Sequence, residues 1–355
     1  MATTFKTITA NDVTNTRTLL HEAIPLTGTI ASGTYGDENI KTFSHGMFES
    51  VFDYPFLSSS ANHVFDITHG YSSNSDLSGT TAHIQNSKKI NVYNQMAAVL
   101  VGHDATGSIQ DFDQDGNLAD TTGQKLKEVF FVNFSRLLSK DEIKKDSFRF
   151  TFLTGGTPGP LTRANQITIG DYGGSTSYLV NSPAGEYAVL YTSSATPNAN
   201  SGVGLLYYQA GVAVFSASIF NGQVHGVPNT GSTNLGPGFS SGSYQNLATG
   251  STIVQLADSI RDRIVDISFN NTIELNSTIY FCRANHNEFN YSANPTYLTQ
   301  SQIRVKNTTS DNPVSYITTV GLYSSDNELL AVAKLSEPLK KDPNTELTIR
   351  VRLDY

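Results

Sequence analysis

Tryptophan is absent from this 355-residue chain, cysteine occurs once, and only 15% of the residues are charged, against about 25% in an average soluble protein. The single cysteine, Cys282, excludes an intrachain disulfide and a cysteine metal cluster. Within IYFCR it reads as a small buried hydrophobe. No run of Lys or Arg exceeds two residues and the net charge is −8. There is thus no basic stripe to track phosphates, and nucleic-acid binding is not expected. No apolar run approaches the ~18 residues of a membrane span, so no membrane partner is expected either. The opening MATTFKTITANDVTNT lacks the basic region and apolar core of a signal peptide, which implies synthesis in a cytoplasm. Neither a P-loop nor a dinucleotide-binding glycine fingerprint is present.

Ser, Thr, Asn and Gly fill the space that charge leaves, and seventeen Tyr and nineteen Phe supply apolar area. Tyr keeps a polar tip suited to a surface or interface. This balance favours a mainly β chain, with sandwich-like antiparallel sheets, many loops and a few short helices. The C-terminal ninety residues carry the clearest pattern. Leu347, Ile349, Val351 and Leu353 alternate with Thr348, Arg350, Arg352 and Asp354, the period of a half-buried strand. Val314 to Tyr323 and Leu329 to Leu335 flank a short polar turn and read as a hairpin. With a break at Pro338 to Pro343 before the last strand, the expectation is a three-stranded meander ending on the final residue. An unshielded edge there invites a neighbouring chain.

Upstream, Asp12 suits the cap of a short helix continuing from Arg17 to Ile24 and stopped by Pro25. Lys89 to Val101 reads as a buried helix through Met96, Val99 and Leu100. In residues 125–138, Val129 and Phe131 on one side and Phe130, Val132 and Phe134 on the other read as a strand buried on both faces. Ser139 to Glu142 is a capping-box pattern, and Phe148, Phe150 and Phe152 alternate as a further strand. Strand patterns recur at Tyr187 to Tyr191 and Val203 to Phe215. Ile253, Leu256, Ile260 and Ile264 share one face of an amphipathic helix in 251–264. Composition shifts at Gly155 toward Gly, Ser, Thr and Asn. The expected division is a main β-rich domain of 1–154 with 261–355, and a loop-rich β insertion or small second domain of 155–260.

Several motifs invite chemistry. Asp111, Asp113 and Asp115 followed by Gly116 match the first half of a calcium loop, but Thr122 stands where a bidentate Glu belongs. An Asp–Gly turn with solvated carboxylates is the expectation, and these three residues are the metal candidates. Gly238, Ser240 and Gly242 spell GxSxG inside a Pro/Gly/Ser loop, without the strand and helix of a nucleophile elbow. His45, His63, His69, His83 and His103 cluster in sequence without metal-ligand spacing. No catalytic residue and no cofactor is expected.

Residues 265–355, with FNNTIELNSTIYFCRANHNEFNYSANPTYL, PVSYITTVGLYSSDNELLAVAKLSEP and TIRVRLDY, resemble virion structural proteins of contractile-tailed bacteriophages of the marine and cyanophage type. SHGMFESVFDYPFLSSSANHVFDIT and KLKEVFFVNFSRLLSKDEIKK resemble the same group, so much of the chain outside 155–250 is covered. The resemblance rests on wording and carries no catalytic residues. It implies a non-enzymatic virion protein of the tail or baseplate region, a homo-oligomer contacting other phage virion proteins. A receptor- or glycan-binding module using Tyr and Asn of 155–260, or a neck or capsid-surface component, is the alternative. The residues expected at interfaces are Phe289, Tyr291 and Tyr297, in an aromatic segment with Asn294 and Pro295, and Arg350, Arg352 and Tyr355 of the last strand.

Overall fold

The computed structural model describes residues 5–25, 37–79, 82–118, 125–153, 166–192, 201–220, 248–261, 263–291, 298–299, 302–303, 310 and 312–355. The chain is mainly β, with several antiparallel sheets and short helices. It divides into two compact units, a larger one of Leu20–Ile273 and a smaller one of Met1–Leu19 with Glu274–Tyr355. This replaces the division expected at 155–260, because strands of that stretch continue the sheet built by residues before it.

In chain order the elements are β1 (Val13–Pro25), β2 (Ile40–Thr42), β3 (Glu49–Phe52), β4 (His63–Tyr71), α1 (Asn86–Leu100), β5 (Phe112–Asp113), β6 (Lys125–Leu126), β7 (Glu128–Phe134), α2 (Arg136–Ser139), β8 (Glu142–Ile143), β9 (Arg149–Leu153) and β10 (Gln166–Gly170). There follow α3 (Gly174–Ser177), β11 (Leu179–Ser182), β12 (Gly185–Leu190), β13 (Gly204–Tyr207), β14 (Val212–Ser216), α4 (Ile253–Arg261), β15 (Ile264–Ala284), β16 (Leu298–Thr299), β17 (Gln302–Ile303), β18 (Ser315–Tyr323), β19 (Leu329–Lys341) and β20 (Leu347–Asp354).

In the larger unit an eight-stranded sheet runs β11-β12-β13-β14-β7-β4-β3-β2. Its central strands are buried on both faces, as the unbroken apolar run of β7 requires. Phe130, Val132 and Phe134 join Ala213 and Phe215 of β14 and Leu206 of β13 in a core against β9, β10 and the start of β15. Val129 and Phe131 join Val212, Val214, Leu205 and Tyr207 in a second core under α1. The first core centres on phenylalanine rings. Phe215 lies 5.2 Å from Phe130 and from Phe152, and 4.9 Å from Phe150, spacings that suit offset and edge-on aromatic contacts. Each such ring contributes about 2–3 kcal/mol by leaving water.

Helix α1 buries Lys89, Val92, Tyr93, Ala97 and Leu100, positions three and four apart on one face. Val99 is 67% exposed, so it belongs to the outer face rather than the core expected for it. The helix lies directly on β4 because Gly70 has no side chain. A Cβ there would stand 2.7 Å from Lys89 O and 2.8 Å from Tyr93 N, both backbone atoms. Helix α4 opens on a reciprocal cap, with Gln255 N donating to Thr252 Oγ1 and Thr252 N donating to Gln255 Oε1.

Three local expectations are corrected. Residues Arg17 to Ile24 belong to strand β1, preceded by a 3-10 turn at Ala10–Asp12. Thr14, Thr16 and Thr18 suit a pleated strand, and β15 supplies the neighbour. The helical turn near Ser139 lies earlier, at Arg136–Ser139, capped by Ser135 Oγ, which accepts from Leu137 N. Lys140 at φ 53° ends it, and Glu142 starts β8. The terminal strand β20 pairs antiparallel with β15, from Ser277 opposite Asp354 to Ala284 opposite Leu347. It does not extend the β18–β19 hairpin, and β19 runs on through Pro338 to Lys341. A meander is therefore not formed.

Candidate assembly interface

Among the described residues, all three apolar core clusters lie in the larger unit. The smaller unit is held by backbone ladders and polar clasps. Arg283 Nε lies 2.7 Å from Asp12 Oδ1, and Thr278 Oγ1 donates to Asn15 Oδ1 at 2.8 Å. Lys341, fully buried, donates from Nζ to Asn290 Oδ1 at 2.6 Å, Asp342 O at 2.8 Å and His286 O at 3.3 Å. That ammonium fixes the 286–290 turn to the end of β19, where Phe289 adopts φ 52° and its carbonyl accepts from Ser315 Oγ.

Ile279, Ala284, Leu322 and Val351 are buried in this unit, while many of its other large apolar side chains remain in solvent. In the hairpin, Val320 pairs with Ala333 and Leu322 with Ala331, and Leu322 is buried. The opposite face carries Gly321 opposite Val332 and Tyr323 opposite Leu329. Val332 and Leu329 are half exposed, as is Tyr323, against which Phe5 packs at 4.7 Å. Tyr323 and Leu329 lean over Gly321, whose missing side chain leaves them room. Leu330, at the irregularity beside this pair, is 68% exposed. Asp326 and Glu328 stand at the turn, whereas Lys334 and Lys340 lie along the far half of β19, Lys340 within 3.7 Å of Asp342.

Of the residues expected at interfaces, Phe289 and Tyr291 are exposed, Tyr291 at 65%. Tyr297, with Asn294 and Pro295, lies outside the described residues. Tyr355 is 75% exposed while its backbone bonds both ways with Asn276, and its hydroxyl lies 3.1 Å from Thr278 Oγ1. Arg350 is exposed opposite Phe281. Arg352 is committed within the unit, with Nε on Asp354 at 2.6 Å and Nη2 on Ser277 Oγ at 3.0 Å. The outward hairpin face was missed in the sequence because nothing in VSYITTVGLY distinguishes a covered face from an open one.

The Asp-rich turn uses its carboxylates on protein donors. Asp111 accepts from Ser72 Oγ and Asn74 Nδ2. Asp113, buried, accepts from the backbone N–H groups of Asp115 and Gly116 and from the Lys125 ammonium. Although burial works the other way, bonds from Asp115 and Lys125 hold its carboxyl below the usual range. Asp115 accepts from Asn117 N. Among the described residues, no group of three or more His, Cys, Asp or Glu is placed to hold a metal. The histidines disperse accordingly. His45 stacks on Phe43, His63 bonds Asp66, His83 bonds Leu77 O, and His69 is buried in the core. Ser240 lies outside the described residues. The tyrosines Tyr187, Tyr207 and Tyr208, within the stretch considered for glycan contact, are buried. Tyr178 is partly exposed under Lys145, whose Nζ stands 4.8 Å above its ring.

No family model, curated protein or solved structure matches this chain.

Proposed function

We propose that this chain is a non-enzymatic structural protein of a tailed-phage particle, in the tail or baseplate region, that works by holding protein neighbours. The observation that carries the reading is the outward apolar face of the smaller unit. Tyr323, Leu329, Leu330 and Val332 are in solvent on a two-stranded sheet that has no apolar core cluster of its own among the described residues. An isolated hairpin is marginally stable in water, and contiguous exposed apolar surface marks a protein contact. The resemblance of residues 265–355 to phage virion proteins is what suggests the particle. Incorporation is the test: the chain co-purifies with intact particles and is lost from tailless ones. Deleting Thr348–Tyr355 removes nearly all of the strand that β15 pairs with, and the truncated chain fails to enter particles. Particles that carry the truncated chain at the normal level overturn the reading.

A further inference from the structure

We propose that Phe5–Ile8 is a displaceable arm: docked, it occupies the Tyr323 end of the outward hairpin face, and a virion neighbour that binds there takes its place. The inference rests on the assembly reading above and adds a step to it. What carries it is the way the residues ahead of β1 are attached.

Phe5–Asp12 lies outside β1, which begins at Val13. Among the described residues its backbone bonds are local, with Asp12 N donating to Thr9 O and Val13 N to Ala10 O. None of these residues is buried, and Phe5 keeps 42% of its surface in solvent. At Asp12, Thr9 Oγ1 donates to Oδ2 at 2.7 Å and Arg283 Nε lies 2.7 Å from Oδ1, which pins the 3-10 turn as a hinge. Beyond the hinge the arm is held by the Phe5 ring, 4.7 Å from that of Tyr323, and by the Lys6 ammonium on Glu288 Oε2.

Those holds are weak ones. The side chains of Lys6 and Glu288 are 32% and 33% exposed, and exposed ion pairs contribute little and weaken further with salt. A segment without buried side chains or a strand ladder opens far more readily than the fold beneath it.

The places where the arm rests give opening its consequence. Tyr323 pairs opposite Leu329 on the face that also carries Val332, and Glu288 adjoins the exposed Phe289. The docked arm therefore bridges the hairpin and the 286–290 turn, shielding one ring and neutralising one carboxylate. Released, it leaves an apolar strip from Tyr323 through Leu329 to Val332 beside a carboxylate freed of Lys6. A neighbour that binds only the released form draws the equilibrium toward it.

The chain has no tryptophan, so Phe5→Trp places a single fluorescent reporter on the arm. The measurement is acrylamide quenching of the purified full-length chain in dilute buffer. Lys6→Met in this background is expected to raise the quenching constant about twofold by releasing the arm. Glu288→Gln, which keeps an acceptor for Asn285 N, is expected to do the same, and so is about 1 M NaCl on the parent. Lys6→Arg keeps the charge and leaves the arm docked. Quenching that responds to neither substitution nor to salt overturns the inference, as does a Lys6→Arg chain as open as Lys6→Met. Particles test the displacement. The Lys6→Met chain is expected to enter them at least as readily as wild type, because its arm is already released. Loss of incorporation would make the docked arm part of the contact and overturn the displacement. A chain whose arm opens as described yet never enters particles overturns the assembly reading and leaves the arm itself standing.

Discussion

Lys89 Nζ donates to Ala248 O at 2.6 Å, across 159 positions of sequence, from a side chain with no solvent exposure. The same ammonium reaches Ser251 O and Ile84 O, both at 2.7 Å. Close by, Gln85 Oε1 accepts from Ile253 N, so the beginnings of α1 and α4 are tied together. Burial draws the amine down to about 8, yet near neutral pH it remains charged, and three carbonyls take the place of water around it. Lys89→Met keeps the stem and removes the donors. Leaving buried acceptors unpaired costs about 1–3 kcal/mol each where they cannot relax. The expected loss is about 3–5 kcal/mol, or a fall in Tm of roughly 6–15 °C by calorimetry. A Tm within about 2 °C of wild type would show that the clasp is dispensable.

The contact of α1 with β4 depends on Gly70 as much as on Lys89. Gly70→Ala places a methyl against backbone atoms of the helix, which cannot rotate aside as a side chain would. The helix must lift from the sheet, at about 2–3 kcal/mol. Gly79→Ala is the matched control, since a Cβ there has nothing within 4 Å. Urea midpoints are expected to fall for the first variant and to stay unchanged for the second. Equal midpoints would mean that the helix does not sit on the strand as described.

Much of this architecture was written in the local pattern, and the remainder was set by distant partners. The two-sided run at Val129–Phe134, the alternation of Phe148, Phe150 and Phe152, and the face of Ile253, Leu256 and Ile260 all form the expected elements. Their signals are periodic and local. β1 was misread because Leu19, Leu20, Glu22 and Ala23 favour a helix in isolation. That preference loses to pairing beside β15. β20 was recognised but assigned the wrong neighbour, since alternation fixes a strand's faces without fixing which edge it joins. Buried Lys89 and Lys341 had no signal at all, because a lysine reads as solvated until acceptors converge on it. Of the candidate interface, the aromatic Phe289 and Tyr291 were visible as residues. The open face of the hairpin became visible only once Leu322 was seen to point the other way.

His69 makes stability depend on pH. Burial, then the charge of Lys89, pulls its imidazole down to about 3 from an ordinary 6.5. The unfolded chain therefore takes up a proton between pH 6.5 and 3 that the folded chain refuses, so folding is favoured as pH rises through that window and weakened as it falls. Between pH 6.5 and about pH 4 the loss from this group is about 3 kcal/mol. Asp171 acts in the opposite sense, because burial raises its carboxyl to about 6, and it is present in both chains of a comparison with His69→Phe. Urea midpoints measured from pH 7 downward are expected to fall more steeply for wild type than for His69→Phe. Parallel curves would place His69 in contact with water.

The turn at Asp111 to Gly116 offers the sharpest contrast between a cation site and a structural one. Lys125 already supplies the positive charge beside Asp113, whose carboxylate is buried, while Lys125 itself is only 15% exposed. Removing one partner of such a pair leaves the other uncompensated, which costs more than the pair contributes. Asp113→Ala is expected to lose about 2–4 kcal/mol, and Asp115→Ala, which removes an acceptor for Asn117 N, about 1 kcal/mol or less. Calcium is expected to leave the melting temperature of wild type where a chelator leaves it, because ligand that binds only the folded state would raise it. A rise in Tm with calcium that disappears in Asp113→Ala would mean that the metal displaces the Lys125 ammonium, and the turn would then be a cation site after all.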